Sequence, residues 1–123
     1  MSTEGGPVRR GGISHSIFEV ASVDGRRKLV ARELGAAAVR MNQFDSAPGQ
    51  AGFEHDELES GQEEVYVALR GSGVLRVAGE EVTLEPGRYV LVPPGDVRQV
   101  VAGPDGLSYL VVGARVGGGG APT

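Results

Sequence analysis

Short apolar runs separated by glycine and proline are the feature that most constrains the fold of this chain. Its 123 residues include 21 glycines and seven prolines, which is well above ordinary usage. From residue 36 onward these residues fall at close, regular intervals, a spacing typical of short strands joined by tight turns. The pattern indicates an all-β sandwich or barrel, and the length fits one domain with one core.

The apolar runs give an explicit set of elements. We predict a first strand over 13–20 and then strands over 36–44, 63–69, 74–77, 81–84, 89–92, 97–102 and 107–112. The only helix predicted covers 26–34 and ends at Gly35, a suitable C-cap. Strands such as YVLV (89–92) are apolar on both faces, so we expect a second sheet or a dimer partner to cover the outer face.

Composition divides the chain and excludes several classes of function. Residues 1–12 and 113–123 are rich in Gly, Pro and small side chains, so we predict flexible tails around a barrel domain at 13–112. A net charge of -4 without tryptophan argues against a nucleic-acid partner, and the short basic cluster at 26–28 is expected to be solvated. There is no cysteine and no apolar run long enough to span a bilayer, so we expect a cytoplasmic protein without a membrane partner.

Two spaced motifs carry the functional signal. In the first, Gly49 is followed after five residues by His55, with Glu57 two positions on, and six residues separate Glu64 from Gly71. In the second, Gly87 is followed after five residues by Pro93, then by Gly95 and, after two more residues, by Arg98. Fifteen residues separate Gly71 from Gly87. The pair of motifs resembles the two conserved motifs of the cupin family, and the resemblance covers residues 36–113.

The resemblance implies an antiparallel jelly-roll β-barrel, usually dimeric, with a pocket inside the barrel. In metal-binding cupins the ion is held by His-x-His and Glu from the first motif and by His from the second. Position by position, His55 matches the first histidine and Glu64 the glutamate. Glu57 stands where the second histidine is expected, and Arg98 stands where the third is expected. An inserted corner over 58–63 also lengthens the first motif.

Elementary chemistry gives a second view of these positions. Residues two apart on a strand share a face, so Glu64, Tyr66 and Ala68 point together. Periodicity alone favours burial of the other face, with Val65, Val67 and Leu69, and only the resemblance turns Glu64 inward. If the motif residues converge, the guanidinium of Arg98 cannot ligate a metal, and we expect it to bridge the carboxylates of Glu57 and Glu64.

Three functions from different classes follow. The first is a cupin without a tightly bound metal that binds a small polar or anionic molecule. Its predicted pocket residues are His55, Glu57, Glu64, Tyr66 and Arg98. The second is a metal-dependent enzyme of dioxygenase, isomerase or cyclase type, with zinc, nickel, iron or manganese on His55, Glu57 and Glu64, or a metal-free variant with Glu64 or His55 as general acid or base. The third is a homodimeric interaction module with no occupied pocket. The residues leave open whether the protein is an enzyme, and they identify no ligand and no catalytic residue.

Overall fold

The computed structural model describes residues 8–10 and 15–118, and antiparallel strands dominate them. In chain order the strands are β1 (Val8–Arg10), β2 (Ser16–Phe18), β3 (Arg27–Lys28), β4 (Arg40–Ser46), β5 (Gln62–Val77), β6 (Glu80–Leu84), β7 (Tyr89–Val92) and β8 (Arg98–Arg115). A 3-10 turn (Val20–Ser22) and the helix α1 (Val30–Leu34) lie before β4. Strands β1 and β2 form a small separate sheet, and β3 to β8 form a jelly-roll barrel.

Two long bent strands, β5 and β8, run through both halves of the barrel. Near its start β5 pairs with β7 and with the end of β8, while its second half pairs with β6 and the start of β8. The strand breaks predicted between residues 69 and 74 and between residues 102 and 107 are therefore wrong, because β5 and β8 each continue through them. The ladder shifts register between Gly71 and Gly73. A Cβ at position 71 would clash with the carbonyl oxygen of Gly106, so this bend of β5 requires glycine.

The core occupies the barrel interior and decides which face of β5 points inward. Tyr66 and Ala68 are buried, whereas Leu69 is 41% exposed. The orientation implied by the family resemblance is confirmed, and the one favoured by apolar periodicity is wrong. The remaining buried apolar side chains complete the core: Leu75, Leu84, Val92, Val100, Ala102, Leu107, Tyr109 and Val111.

The N-terminal region differs most from expectation. The helix begins at Val30 and not at residue 26, because Arg27 and Lys28 pair with Phe44 and Gln43 of β4 as strand β3. Its predicted end is confirmed, since Gly35 adopts a left-handed conformation (φ 77°) and its N–H bonds to the carbonyl of Arg32.

The predicted tails and domain limits fall partly on residues outside the described ones. Of the first predicted strand, positions 13 and 14 lie outside the description, and the described part forms β2 over Ser16–Phe18. Val8–Arg10, within the predicted N-terminal tail, forms β1, while 1–7, 11–12 and 119–123 are not described. At the other end β8 continues to Arg115. The domain limits stay a prediction. No helix in the described part of the chain is long and apolar enough to cross a membrane.

Candidate functional site

Backbone pairing brings the two motifs side by side. The N–H of His55 donates to the carbonyl of Arg98 at 3.0 Å, and the N–H of Arg98 donates back to His55 at 2.8 Å. Directly paired residues of antiparallel segments project to the same face, so this bridge sets the imidazole beside the guanidinium. Glu57 is fixed against the corner that follows β7, because its N–H donates a hydrogen bond to the carbonyl of Pro94 at 2.9 Å. Glu64 enters from the start of β5, opposite Val92 of β7.

The imidazole of His55 lies between two carboxylates. Its Nε2 is 3.2 Å from Oε2 of Glu57 and 3.6 Å from Oε1 of Glu64. Its Nδ1 lies 3.3 Å from the carbonyl oxygen of Phe53. One ligand atom from each of His55, Glu57 and Glu64 falls within 4.8 Å of the others. The three predicted metal ligands therefore form a group whose atoms could surround a divalent ion.

Arg98 lies against this group and is completely buried. One terminal nitrogen donates to the carbonyls of Pro93 at 2.8 Å and Val92 at 3.3 Å. Its Nε is 3.8 Å from Oε1 of Glu64. Nε and the other terminal nitrogen have no hydrogen-bond partner among the described residues. A buried cation is thus partly satisfied by backbone carbonyls and one carboxylate, and it keeps free donors.

The prediction that Arg98 bridges the carboxylates of Glu57 and Glu64 is wrong for Glu57. Among the residues that the structure describes, Arg98 forms its ion pair with Glu64. The carboxylate of Glu57 instead accepts a hydrogen bond of 2.6 Å from the hydroxyl of Ser60 and faces His55. The inserted corner explains the difference, because its turn at 58–61 folds Ser60 back onto Glu57.

Glu64 links these groups to the aromatic core. Its Oε1, which faces His55 and Arg98, also accepts a hydrogen bond of 2.8 Å from the hydroxyl of Tyr66. Burial raises the pKa of Tyr66, and the charge of Glu64 and its hydrogen bond raise it further. The phenol therefore stays protonated at neutral pH and acts as a donor.

A small cavity opens beside these side chains. The volume of this inner cavity is about 70 Å³, and a wider outer recess of about 310 Å³ adjoins it, because His55 and Glu64 line both. Of the predicted pocket residues, His55, Glu64, Tyr66 and Arg98 line the inner cavity, and Glu57 lines the recess. The structure thus brings all five together, at two depths.

Sequence comparison assigns the fold to a known family. The Cupin_2 family, described as "Cupin domain", matches residues 42–113, which is more than half of the chain. The chain belongs to the cupin family. Among curated proteins, none matches this cupin.

Solved structures agree with the family assignment. A cupin protein from Bacteroides fragilis matches with a TM-score of 0.77 at 21% identity, covering 90% of this chain and 92% of its own. A protein from Thermus thermophilus matches with a TM-score of 0.67 at 25% identity, covering 80% and 96%. A sugar phosphate isomerase from a cupin superfamily, from Silicibacter pomeroyi, matches with a TM-score of 0.64 at 24% identity, covering 76% and 66%. Similarity at this level establishes the fold of this cupin.

The sequence analysis missed one charged residue that lines the inner cavity of this cupin. Arg26 was expected to be a solvated charge, yet it lines the inner cavity and its Nε is buried. The following residues also contradict that expectation in part, since Lys28 is 7% exposed and its Nζ donates to the carbonyl of Val23 at 2.9 Å. The sequence offered almost no signal for this placement, because β3 spans only Arg27–Lys28 and Arg26 precedes it.

Proposed function

We propose that this cupin binds a small polar or anionic molecule in its barrel and that Arg98 takes the electrostatic place of a metal ion. The observation that carries the proposal is a fully buried guanidinium 3.8 Å from Glu64 at a position where the family's metal-binding members have histidine. Its Nε and one terminal nitrogen have no hydrogen-bond partner among the described residues. Buried donors without partners are costly, so a ligand that supplies acceptors is favoured.

Electrostatics oppose a tightly bound divalent ion at the same point. Two unit charges about 4 Å apart near a protein surface interact by about 4 kcal/mol, so a divalent ion beside a guanidinium is disfavoured by roughly twice that amount. The carboxylates of Glu57 and Glu64 attract the ion and offset this penalty, so Arg98 weakens metal binding without removing the ligands. The guanidinium of Arg98, however, already interacts with Glu64 and offers no lone pair to a metal ion.

The test combines metal analysis with ligand-induced stabilisation. Protein purified without added ions is expected to contain far less than one equivalent of zinc, nickel, iron or manganese. A bound small anion is expected to raise the melting temperature, and that rise is expected to vanish in Arg98→Ala. Stoichiometric metal in the unsubstituted protein, or a ligand effect that survives Arg98→Ala, contradicts the proposal.

The second candidate is an enzyme, and one observation favours it. The ligand atoms of His55, Glu57 and Glu64 lie within 4.8 Å of one another, which suits a divalent metal despite Arg98. Without metal, His55 and Glu64 have the spacing for general acid-base chemistry, with the phenol of Tyr66 on the same carboxylate. Metal-dependent turnover that is lost on chelation supports this candidate against the first.

We also propose that two copies of the chain associate through the outer face of β5 and β7. Val65 stands opposite Leu91 and Val67 opposite Tyr89 on this face. Leu91 is 56% exposed and Tyr89 is 73% exposed. A contiguous apolar sheet face of this kind favours association with an equivalent face. A homodimer whose barrel only supports the interface is the third candidate, and an empty pocket in every ligand assay would favour it.

A further inference from the structure

The buried polar atoms that lack hydrogen-bond partners are of one chemical type and lie around one cavity. Among the described residues, three buried side-chain nitrogen or oxygen atoms lack a hydrogen-bond partner: Nε of Arg26, and Nε and one terminal nitrogen of Arg98. All three are donors on guanidinium groups. Both arginines line the inner cavity, so whatever fills that cavity best brings acceptor oxygens and negative charge.

Arg26 is held firmly enough to act as a receptor. Its backbone carbonyl accepts the N–H of Asp45 at 2.8 Å, which ties it to β4. Its guanidinium lies 5.4 Å from the ring centre of Phe44 and donates to the hydroxyl of Ser46 at 3.1 Å. Phe44 in turn stacks on Tyr109 with centroids 5.1 Å apart. An arginine that is stacked and hydrogen-bonded in this way loses little further entropy when it binds a carboxylate.

The cavity also presents acceptors, so a bare anion does not complement it fully. The carboxylate of Glu64 and the imidazole of His55 line the same space as the two arginines. A hydroxyl group on the ligand can donate a hydrogen bond to either of them. The matching molecule therefore carries an anionic group for the guanidinium groups and a hydroxyl group for the His55 and Glu64 side.

Size narrows the class further. A cavity of about 70 Å³, against about 310 Å³ for the recess, limits the ligand that it encloses to a small molecule. Small acids of three or four carbon atoms fit this limit. Nucleotides and sugar phosphates exceed it and would have to extend into the outer recess.

We propose that the inner cavity binds a small 2-hydroxycarboxylate, with Arg26 and Arg98 as the two receptors for its carboxylate. This inference rests on the proposed function, which requires a ligand but neither Arg26 nor a hydroxyl group. Arg26 is a ligand-binding residue in this account, whereas Arg27, its neighbour, does not line the inner cavity and contributes to the recess.

Isothermal titration calorimetry with four probes tests the ligand class. Lactate carries both groups, propionate lacks the hydroxyl, lactamide lacks the charge, and inorganic phosphate offers an oxyanion without the hydroxyacid shape. We expect lactate to bind at least about tenfold more tightly than propionate and about a hundredfold more tightly than lactamide, as expected for the loss of one neutral and one charged set of hydrogen bonds. Phosphate is expected to bind more weakly than lactate.

Matched variants assign the binding to Arg26. Arg26→Gln is expected to weaken lactate binding by about ten- to a hundredfold, and Arg26→Lys to restore only part of it, because lysine lacks the planar fork. Arg27→Gln removes the same charge one residue away and is expected to change affinity less than about twofold at physiological salt. Melting curves without ligand confirm that each variant is folded.

The possible outcomes separate the two proposals. Equal lactate affinity in Arg26→Gln and the unsubstituted protein overturns the role of Arg26, and equal affinity for lactate and lactamide or propionate overturns the ligand class. Either result leaves the proposed function standing if binding still requires Arg98. If no probe binds, this inference is wrong, and the proposed function is wrong as well if the unsubstituted protein also contains stoichiometric metal.

Discussion

Nε of Arg98 lies 3.8 Å from Oε1 of Glu64, and the arginine has no solvent-exposed surface. The pair stands at two of the four positions that hold the metal in metal-binding cupins. The guanidinium of Arg98 therefore pairs with the carboxylate of Glu64, which in a metal-binding cupin would bind the metal ion. The central claim, that the barrel is a pocket for a small molecule without a tightly bound metal, depends on this pair.

The coupling between Arg98 and Glu64 can be measured by a double-mutant cycle. Arg98→Met is expected to destabilise the fold by about 3 kcal/mol, because it leaves a largely buried carboxylate without its cation. In the presence of Glu64→Gln the same substitution is expected to cost at least about 1 kcal/mol less. Urea unfolding of the four proteins gives the coupling energy.

An exposed ion pair provides the control for that cycle. Nε of Arg76 lies 3.2 Å from Oε2 of Glu81, and both side chains are exposed. Their coupling is expected to be below about 0.5 kcal/mol. If the Arg98–Glu64 coupling is no larger than this control, the buried pair does not have the importance assigned to it.

Tyrosine ionisation tests the environment of the cavity wall. Burial raises the pKa values of Tyr66 and Tyr109, so these phenols stay neutral in the folded state at a pH where they ionise once unfolded. The two neutral phenols contribute to the free energy of unfolding. This contribution is fully present below the unfolded pKa of about 10 and is lost as the pH rises above it. At pH of about 11, phenolate absorbance of the native protein is expected to fall short of that in urea by two tyrosines out of three. Equal absorbance in the two states would show that both rings are accessible.

Two glycines distinguish a packing requirement from a conformational one. Gly71 and Gly87 both have positive φ, of 73° and 93°, but only at Gly71 would a Cβ meet the backbone of the neighbouring strand. Gly87→Ala is expected to cost about 1 kcal/mol from the left-handed conformation alone. Gly71→Ala is expected to cost on the order of 3 kcal/mol or more. Thermal unfolding of the two variants compares these costs, and similar values would mean that the corner adjusts freely.

The proposed homodimer has a direct test in solution. Leu91→Asp places a charge on the outer face of β5 and β7 and is expected to shift the protein to monomer in sedimentation velocity. Leu58→Asp is the matched control, because Leu58 is 67% exposed and lies on the inserted corner, outside β5 and β7. A monomeric unsubstituted protein, or a dimer unaffected by Leu91→Asp, contradicts this interface.

The sequence predicted the barrel and the grouping of its pocket, and particular residues show where it stopped. The spacing of Gly and Pro predicted both ends of β7 correctly. It also divided β5 and β8 into separate strands, because in a sequence a glycine bend within a strand looks the same as a turn between two strands. Alternation of apolar residues pointed to the wrong face of β5, since Val65 and Val67 lie on an apolar outer face. The motif spacing shared with the family correctly predicted that Glu64 points inward, because it reflects where the motif residues lie in the folded barrel.

The errors at the site arose from side chains whose partners are distant in sequence. Arg26 reaches the cavity only because β3 pairs with β4, and two residues of strand give almost no periodic signal. The contact between Ser60 and Glu57 depends on how an inserted corner folds. Neither could be derived from local composition, and both change how charge is distributed in the pocket.

Metal content of Arg98→His and of the unsubstituted protein is the most direct test of the central claim. Histidine at position 98 replaces the cation with a neutral ligand beside His55, Glu57 and Glu64, so the variant purified from metal-supplemented cells is expected to carry about one divalent ion per chain. The unsubstituted protein, prepared in parallel, is expected to carry far less than one. Equal, near-stoichiometric metal in both proteins would contradict the account.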